Sequence, residues 1–410
     1  MKRPDVRASE IDGTLAAFER TTDEIFSLDE LRQRLGSGKQ LVMKYGVDVT
    51  APDLHIGHAV NLWMYRQLQE LGHKLVFLIG DFTTQIGDPT GKNKLRPVIP
   101  LEDIRRNADE FIRQAKMVVH DDPEVMEIRR NSEWFGAMPA RELLSLMSMV
   151  THDRLMARDM FRRRAEEGKE IYEHELIYPI LQGYDSVMLD ADLTVIGSDQ
   201  LYNEMMGRFY QEKFGKKPQV VVTTKITPGI DGREKQSKSL GNYIGLNHSP
   251  RDKFGRIMTV PDVLMDEYFR VYTDLSGSEI ERLSAEYRSE PRELKAKLAE
   301  AIVTRYHGRE VAAEEEKWFR ETFSERKTPT EMPSVVLPCE SVGILEVLLE
   351  CFASQGGSRS NSELRRLLAQ GGVRVDGETV RELNQAVTIS PSGTVVQVGK
   401  RNWFRVTSKS

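Results

Sequence analysis

The chain has two cysteines in 410 residues, Cys339 and Cys351, and neither belongs to a CxxC pair. Structural zinc held by clustered thiolates is therefore not expected, nor is a disulfide in a reducing cytoplasm. No run of about 18 apolar residues occurs, so neither a membrane span nor a membrane partner is expected. The opening Met1-Lys2-Arg3-Pro4-Asp5 lacks the apolar stretch of a secretory signal, which makes the cytoplasm the expected location. Internal repeats and low-complexity tracts are missing as well. Positive charge is not in excess: a net charge of −5 argues against indiscriminate coating of nucleic acid.

Apolar material is ample, with 39% hydrophobic and 30% charged residues, enough for two or three domains with a large core. Charge is unevenly placed. Residues 356–410 hold nine Lys and Arg against four Asp and Glu, a net of +5, so the preceding 355 residues carry −10. That asymmetry points the C-terminal end toward an anionic partner.

Along the chain, residues 1–36 read as a helical lead-in. Gln40 to Val49 reads as a strand, Thr50-Ala51-Pro52-Asp53 as a turn, and Leu54 to Leu71 as a helix carrying Val60, Leu62, Trp63, Tyr65, Leu68 and Leu71 at helical spacing. Lys74 to Gly80 is a second apolar strand, completing a βαβ unit of the kind that builds parallel sheets. Residues 101–190 read as mostly helical, Gln219 to Thr224 as another strand, and 251–324 as helices. The fold class is thus α/β. Expected domains are 1–250 with a helical insertion near 105–190, a helical domain 251–324, a linker 325–337, and a small α+β segment 338–410.

His55-Ile56-Gly57-His58 is the most telling stretch. It opens the helix that follows the first strand, where unpaired N–H groups and the helix dipole favour anions. The two histidines lie three apart on one face, and Gly57 leaves room for a flat ring against the backbone. Two bland readings stand beside this one: surface histidines, or a zinc pair lacking a third ligand. Lys235-Gln236-Ser237-Lys238-Ser239 lies 180 positions downstream in a Gly-flanked loop. Alone it would be a solvated Lys/Ser loop. With the first motif it suggests an enzyme gripping the phosphates of ATP from two sides, its lysines stabilising charge on departing pyrophosphate.

Ile86-Gly87-Asp88-Pro89-Thr90-Gly91-Lys92 fails as a P-loop, because Ile86 stands where a glycine is needed and Asn93 replaces Ser/Thr. It reads instead as a tight turn presenting Asp88 at the carboxyl end of the sheet. Tyr178, Gln182 and Asp185 share a helix face. A polar ligand or an internal hydrogen-bond network would each satisfy them, and spacing does not decide between the two. In Ile196-Gly197-Ser198-Asp199-Gln200, an acidic residue at a strand end could accept from ribose hydroxyls or could simply cap a helix.

These motifs together resemble the bacterial tyrosyl-tRNA synthetases, class I aminoacyl-tRNA synthetases, over nearly the whole length. His55–His58 is similar to the HIGH motif and Lys235–Ser239 to the KMSKS motif. Gly87–Gly91, Tyr178-x-x-x-Gln182-x-x-Asp185 and Gly197–Gln200 follow in the family's order. Ser360–Leu367 with Gly371–Gly377 is similar to the S4 RNA-binding domain. The resemblance implies a Rossmann-like parallel-sheet catalytic domain, an α-helical anticodon-binding domain and an S4-like tail. It also implies a homodimer formed through the insertion.

It further implies a two-step tyrosine–tRNA ligase whose partners are L-tyrosine, ATP and tRNA(Tyr). ATP with Mg²⁺ enters as a substrate complex, without a tightly bound cofactor or a metal site of the protein's own. Asp88, Tyr178, Gln182 and Gln200 would hold the amino-group end of tyrosine, and Asp185 would accept the phenol O–H. Thr50, His55, His58, Lys235, Lys238 and Ser239 would act on the phosphates. Gly46, Asp48, Gly57, His58 and Asp199 would line the nucleotide site, and Arg359, Arg365, Arg366 and Arg374 would meet RNA. Three departures are notable. Lys44 stands where the family often has a tyrosine that donates to the phenol, Ile196 replaces a glycine, and Gln236 replaces the apolar residue of the loop. They leave open a paralogue activating another aromatic or modified amino acid. An RNA-binding protein on a synthetase scaffold is a further alternative, one that would have no need of Lys235 and Lys238.

Overall fold

The computed structural model describes residues 8–50, 52–88, 99–238, 240–324, 332–339, 341–355, 359–383, 385–390, 393–399 and 402–408. The chain divides into two compact units, Met1–Ala312 and Ala313–Ser410.

The first unit is built on a six-stranded sheet: β1 Thr22–Phe26, β2 Val42–Val47, β3 Lys74–Ile79, β4 Met126–Arg130, β5 Leu193–Gly197 and β6 Val220–Thr224. Its order is β1-β6-β5-β2-β3-β4. All neighbours are parallel except β1, which runs antiparallel to β6. The expected βαβ unit is present as β2, the helix Ile56–Glu70, and β3. β6 is buried at every position and β3 at all but its first, as expected for parallel strands covered on both faces. The order reverses between β2 and β5, so the ends of these two strands flank the crevice where open α/β sheets bind ligands.

Residues 101–190 are mostly helical, as expected, but Met126–Arg130 interrupts the helices and pairs with β3 as an edge strand. Its alternation of apolar and charged residues is only five residues long and is outweighed by the helical periodicity on both sides.

Two helices, Glu173–Met188 and Leu201–Lys213, pack closely beside the crevice. A Cβ on Gly183 would lie 2.9 Å from the Tyr210 ring, and one on Gly207 would lie 2.6 Å from Ser186 Oγ. Glycine at both positions permits this approach, which brings Gln182 and Glu204 into contact. Beyond β6, residues 250–307 form the helices Pro250–Ile257, Met265–Tyr272, Gly277–Glu286 and Pro291–His307.

The second unit has its own core, including Val335, Leu348, Leu364, Val396 and Phe404. Its five-stranded sheet has the order β10-β9-β12-β13-β7, from β7 Ser334–Leu337, β9 Val373–Val375, β10 Glu378–Val380, β12 Thr394–Val398 and β13 Asn402–Ser408. β8 Ser341–Gly343 and β11 Ala386–Thr388 form a separate pair. The expected linker 325–337 is therefore shorter at its far end: Ser334–Leu337 is a strand, satisfied by pairing with β13. Among the described residues no helix is long and apolar enough to cross a membrane.

Candidate active site

A cavity of about 780 Å³ opens at the carboxyl ends of β2 and β5. It is lined by every sequence-predicted residue of the first unit that the structure describes, from Lys44 through Lys238. Ser239, Pro89, Thr90 and Gly91 lie outside the described residues.

The turn after β2 is pinned by side chains. Thr84 Oγ1 accepts from the Val49 N–H at 3.0 Å, and Asn107 Nδ2 donates to the Val49 carbonyl at 2.9 Å. Thr50 follows, exposed at the cavity mouth. His55 caps the helix that begins at Ile56, with extended backbone at φ −123°. The His55 and His58 rings stack with centroids 3.7 Å apart. His58 Nδ1 accepts from the His55 N–H at 3.2 Å, which requires that the neutral ring carry its proton on Nε2. Burial, with help from Lys238 and Lys235, lowers the His58 pKa to about 4. His55 is pushed well below its usual value by burial first, then by His58 and the lysines. Both rings are thus neutral near pH 7 and can donate to phosphate without carrying charge. A Cβ on Gly57 would lie 2.9 Å from His55 Nδ1, so here the glycine makes room for the histidine ring itself.

The two motifs are joined through the backbone. Ile56 N–H donates to the Ile244 carbonyl and Leu246 N–H to the Leu54 carbonyl, each at 2.9 Å. Ile244 N–H in turn donates to Gln236 Oε1 at 3.2 Å. Asn242 Oδ1 accepts from the Ser237 N–H at 2.8 Å. Gln236 is buried and donates to Tyr272 Oη at 2.8 Å, so the amide has partners at both ends. Lys235 reaches Asp199 at 2.9 Å, while Lys238 Nζ lies 5.5 Å from the Phe111 ring centre. Burial lowers the Lys238 pKa, and Asp53 opposes this.

The interior is acidic. Asp88 Oδ2 accepts from Gln200 Nε2 at 2.6 Å, and its Oδ1 lies 3.4 Å from Arg158. Tyr178 Oη donates to Asp48 Oδ2 at 3.0 Å. Asp185 is 4% exposed and receives Trp134 Nε1–H at 3.0 Å and Asn131 Nδ2–H at 3.5 Å. Phe82 N–H donates to Asn131 Oδ1 at 3.0 Å and so fixes the amide with its donors toward Asp185. Burial raises the Asp185 pKa to about 7, against the opposing pull of Lys44 and these donors. The arrangement is a cationic rim for phosphates above a carboxylate-rich floor suited to an ammonium and a hydroxyl.

Residues 37–324 match the family described as tRNA synthetases class I (W and Y). The chain is 41% identical over 380 residues to the tyrosine–tRNA ligase of Moorella thermoacetica, covering 92% of this chain and 90% of that one. It is 42% identical over 403 residues to the tyrosine–tRNA ligase of Bordetella parapertussis, covering 97% of each. The chain belongs to the class I tyrosyl-tRNA synthetases. The fold agrees with solved members. A C-terminally truncated mitochondrial tyrosyl-tRNA synthetase of Aspergillus nidulans superposes with a TM-score of 0.64 at 23% identity, over 77% of this chain and 97% of that one. The Archaeoglobus fulgidus tyrosyl-tRNA synthetase complexed with L-tyrosine gives 0.58 at 22%, over 75% and 99%.

Several residues that line the cavity or bond to its lining side chains escaped the sequence reading. Asn131 and Trp134 lie just past β4, the strand read as helix, so their position at a sheet terminus was hidden. Thr83, Arg158, Ser186, Asn203, Glu204 and Gln219 carry no motif signal. In the second unit, Arg365, Arg366 and Arg374 are exposed, whereas Arg359 pairs with Glu363 and lies 4.9 Å from the Phe352 ring centre.

Proposed function

We infer that the chain is a tyrosine–tRNA ligase. The reading is carried by the family match together with one cavity that joins the His55–His58 and Lys235–Lys238 motifs to the Asp185 pocket. In the first step a tyrosine carboxylate oxygen attacks the α-phosphate of ATP, forming tyrosyl-adenylate as the bond to pyrophosphate breaks. In the second, the terminal ribose hydroxyl of tRNA attacks the tyrosyl carbonyl and AMP leaves. No protein nucleophile is needed, since positioning and charge stabilisation suffice.

In this reading His55, His58 and Thr50 contact the phosphates, and Lys235, Lys238 and Ser239 stabilise departing pyrophosphate. Each well-placed donor would lower the barrier by roughly 3 kcal/mol. Asp88, Tyr178, Gln182 and Gln200 hold the amino end, Asp185 accepts the phenol O–H, and Lys44 completes that end of the pocket. Gly46, Asp48, Gly57 and Asp199 line the nucleotide site, with Mg²⁺ accompanying ATP. Residues 251–324 read the anticodon, and the basic second unit, S4-like, holds tRNA through Arg359, Arg365, Arg366 and Arg374. The enzyme acts in the cytoplasm as a homodimer whose interface comes from the insertion near 105–190. The deciding experiment is ATP–pyrophosphate exchange with each of the twenty amino acids, followed by charging of tRNA. Exchange with tyrosine alone is expected, and exchange with a different amino acid would move the specificity elsewhere.

A further inference from the structure

At the closed end of the cavity one carboxylate touches both recognition ends. Glu204 is 2% exposed. Its Oε2 lies 2.8 Å from Lys44 Nζ and accepts from Gln219 Nε2 at 2.8 Å. Its Oε1 accepts from Gln182 Nε2 at 2.8 Å. All three partners are donors, so the geometry calls for an ionised carboxylate, because a protonated acid would set a fourth donor among them.

Two consequences pass outward from Glu204. Toward the phenol end, it shares Lys44 with Ser186, whose Oγ accepts from Nζ at 2.8 Å. The ammonium is thereby fixed close enough to Asp185 to oppose the effect of burial on that carboxyl. Toward the amino end, Glu204 dictates which way the Gln182 amide points. With Nε2 committed to Glu204, Gln182 Oε1 accepts from Asn203 Nδ2 at 2.8 Å. The same Asn203 nitrogen donates to Gln200 Oε1 at 3.0 Å, leaving Gln200 Nε2 to donate to Asp88. Every amide orientation in the chain follows from the first acceptor. A buried ion pair that served packing alone could be exchanged for two apolar side chains without loss of stability. This pair instead bonds directly to Gln182, assigned above to the amino end, and its lysine lies near Asp185.

We propose that Glu204 is a positioning residue for tyrosine specificity, fixing Lys44 beneath the phenol and orienting Gln182 toward the amino-group end. The proposal rests on the tyrosine–tRNA ligase reading with Asp185 as the phenol acceptor. It is tested by pyrophosphate exchange with tyrosine and with phenylalanine for the wild type, Glu204→Gln, and the apolar double variant Lys44→Met/Glu204→Leu. The double variant removes both charges together, and circular dichroism with thermal unfolding checks that it is folded. Glu204→Gln is expected to raise KM for tyrosine roughly tenfold while KM for ATP stays within about twofold, because only interactions with tyrosine are lost. The folded double variant is expected to lose at least about tenfold in its preference for tyrosine over phenylalanine. A folded double variant with the wild-type preference would overturn the proposal, as would equal rises in both KM values for Glu204→Gln. A wild type that exchanges with an amino acid other than tyrosine would instead overturn the parent reading, and the proposal with it.

Discussion

Gln236 donates to Tyr272 Oη at 2.8 Å, tying the Lys235–Lys238 loop to the helix Met265–Tyr272. The same hydroxyl bonds Thr227 Oγ1. Tyr272→Phe strands two buried polar groups, so stability should fall by about 1–3 kcal/mol, measurable by urea unfolding. The loop loses its anchor as well. The rate of tyrosine activation should drop several-fold while KM for tyrosine is unchanged. A parallel rise in KM for tyrosine would show that the anchor serves the whole cavity.

In the role proposed for it, as acceptor of the phenol O–H, Asp185 should govern the low-pH limb of tyrosine use. With its pKa raised to about 7, the carboxyl becomes protonated as pH falls through neutrality and then competes as a donor with the substrate O–H. The value of kcat/KM for tyrosine should therefore fall below about pH 7, and KM for ATP should not follow it. Stability has the opposite sign. The folded state holds the extra proton between the ordinary value of 3.8 and about 7, so the contribution of Asp185 is largest below that window and is lost as pH rises through it. Asp185→Asn should flatten both profiles.

His58 behaves in the reverse sense. Its pKa falls from 6.5 to about 4, so between these values the unfolded chain binds the proton and the folded one does not. Stability is unaffected above about pH 6.5 and declines as pH drops toward 4, by up to about 3 kcal/mol in total. His58→Ala removes that decline in acid unfolding, and should also cut the activation rate on the order of a hundredfold by taking away the proposed phosphate donor.

Gly57→Ala tests the stacked pair sterically. The added methyl would meet His55 Nδ1 at 2.9 Å and Cε1 at 3.0 Å and would displace the ring. Activation should fall by about tenfold or more, with the unfolding midpoint shifted little, because a misplaced catalytic donor is costly even when the fold is kept. An unchanged rate would mean that the ring can move freely.

The sheet-bearing part of the second unit can be removed without dividing a strand only upstream of Ser334, since a cut at 335 would split β7. Truncation after residue 330 should spare pyrophosphate exchange and weaken tRNA charging, with a reduced salt dependence of tRNA binding. Loss of both steps together would contradict a separate RNA-holding role.

The sequence made the sheet strands β2, β3 and β6 legible, because long apolar runs flanked by turns leave few alternatives. It made the two cavity-lining motifs, His55–His58 and Lys235–Lys238, legible because helix starts and glycine-flanked lysines carry local signals. The departures at Lys44 and Gln236 could not be judged from sequence. Their partners, Glu204 and Tyr272, lie 160 and 36 positions away, and no local pattern announces a buried acceptor. Asn131 and Trp134 were hidden for another reason: a five-residue edge strand between helices leaves too short an alternation to read.

β13 lies inside the sheet of the second unit, antiparallel to β12 and parallel to β7. The strand nearest the linker therefore cannot pair until residues 402–408 exist. During synthesis Met1–Ala312 can close its own sheet first, since β6 ends at Thr224. The unit expected to hold tRNA would gain its sheet last, when the cavity of the first unit has already formed.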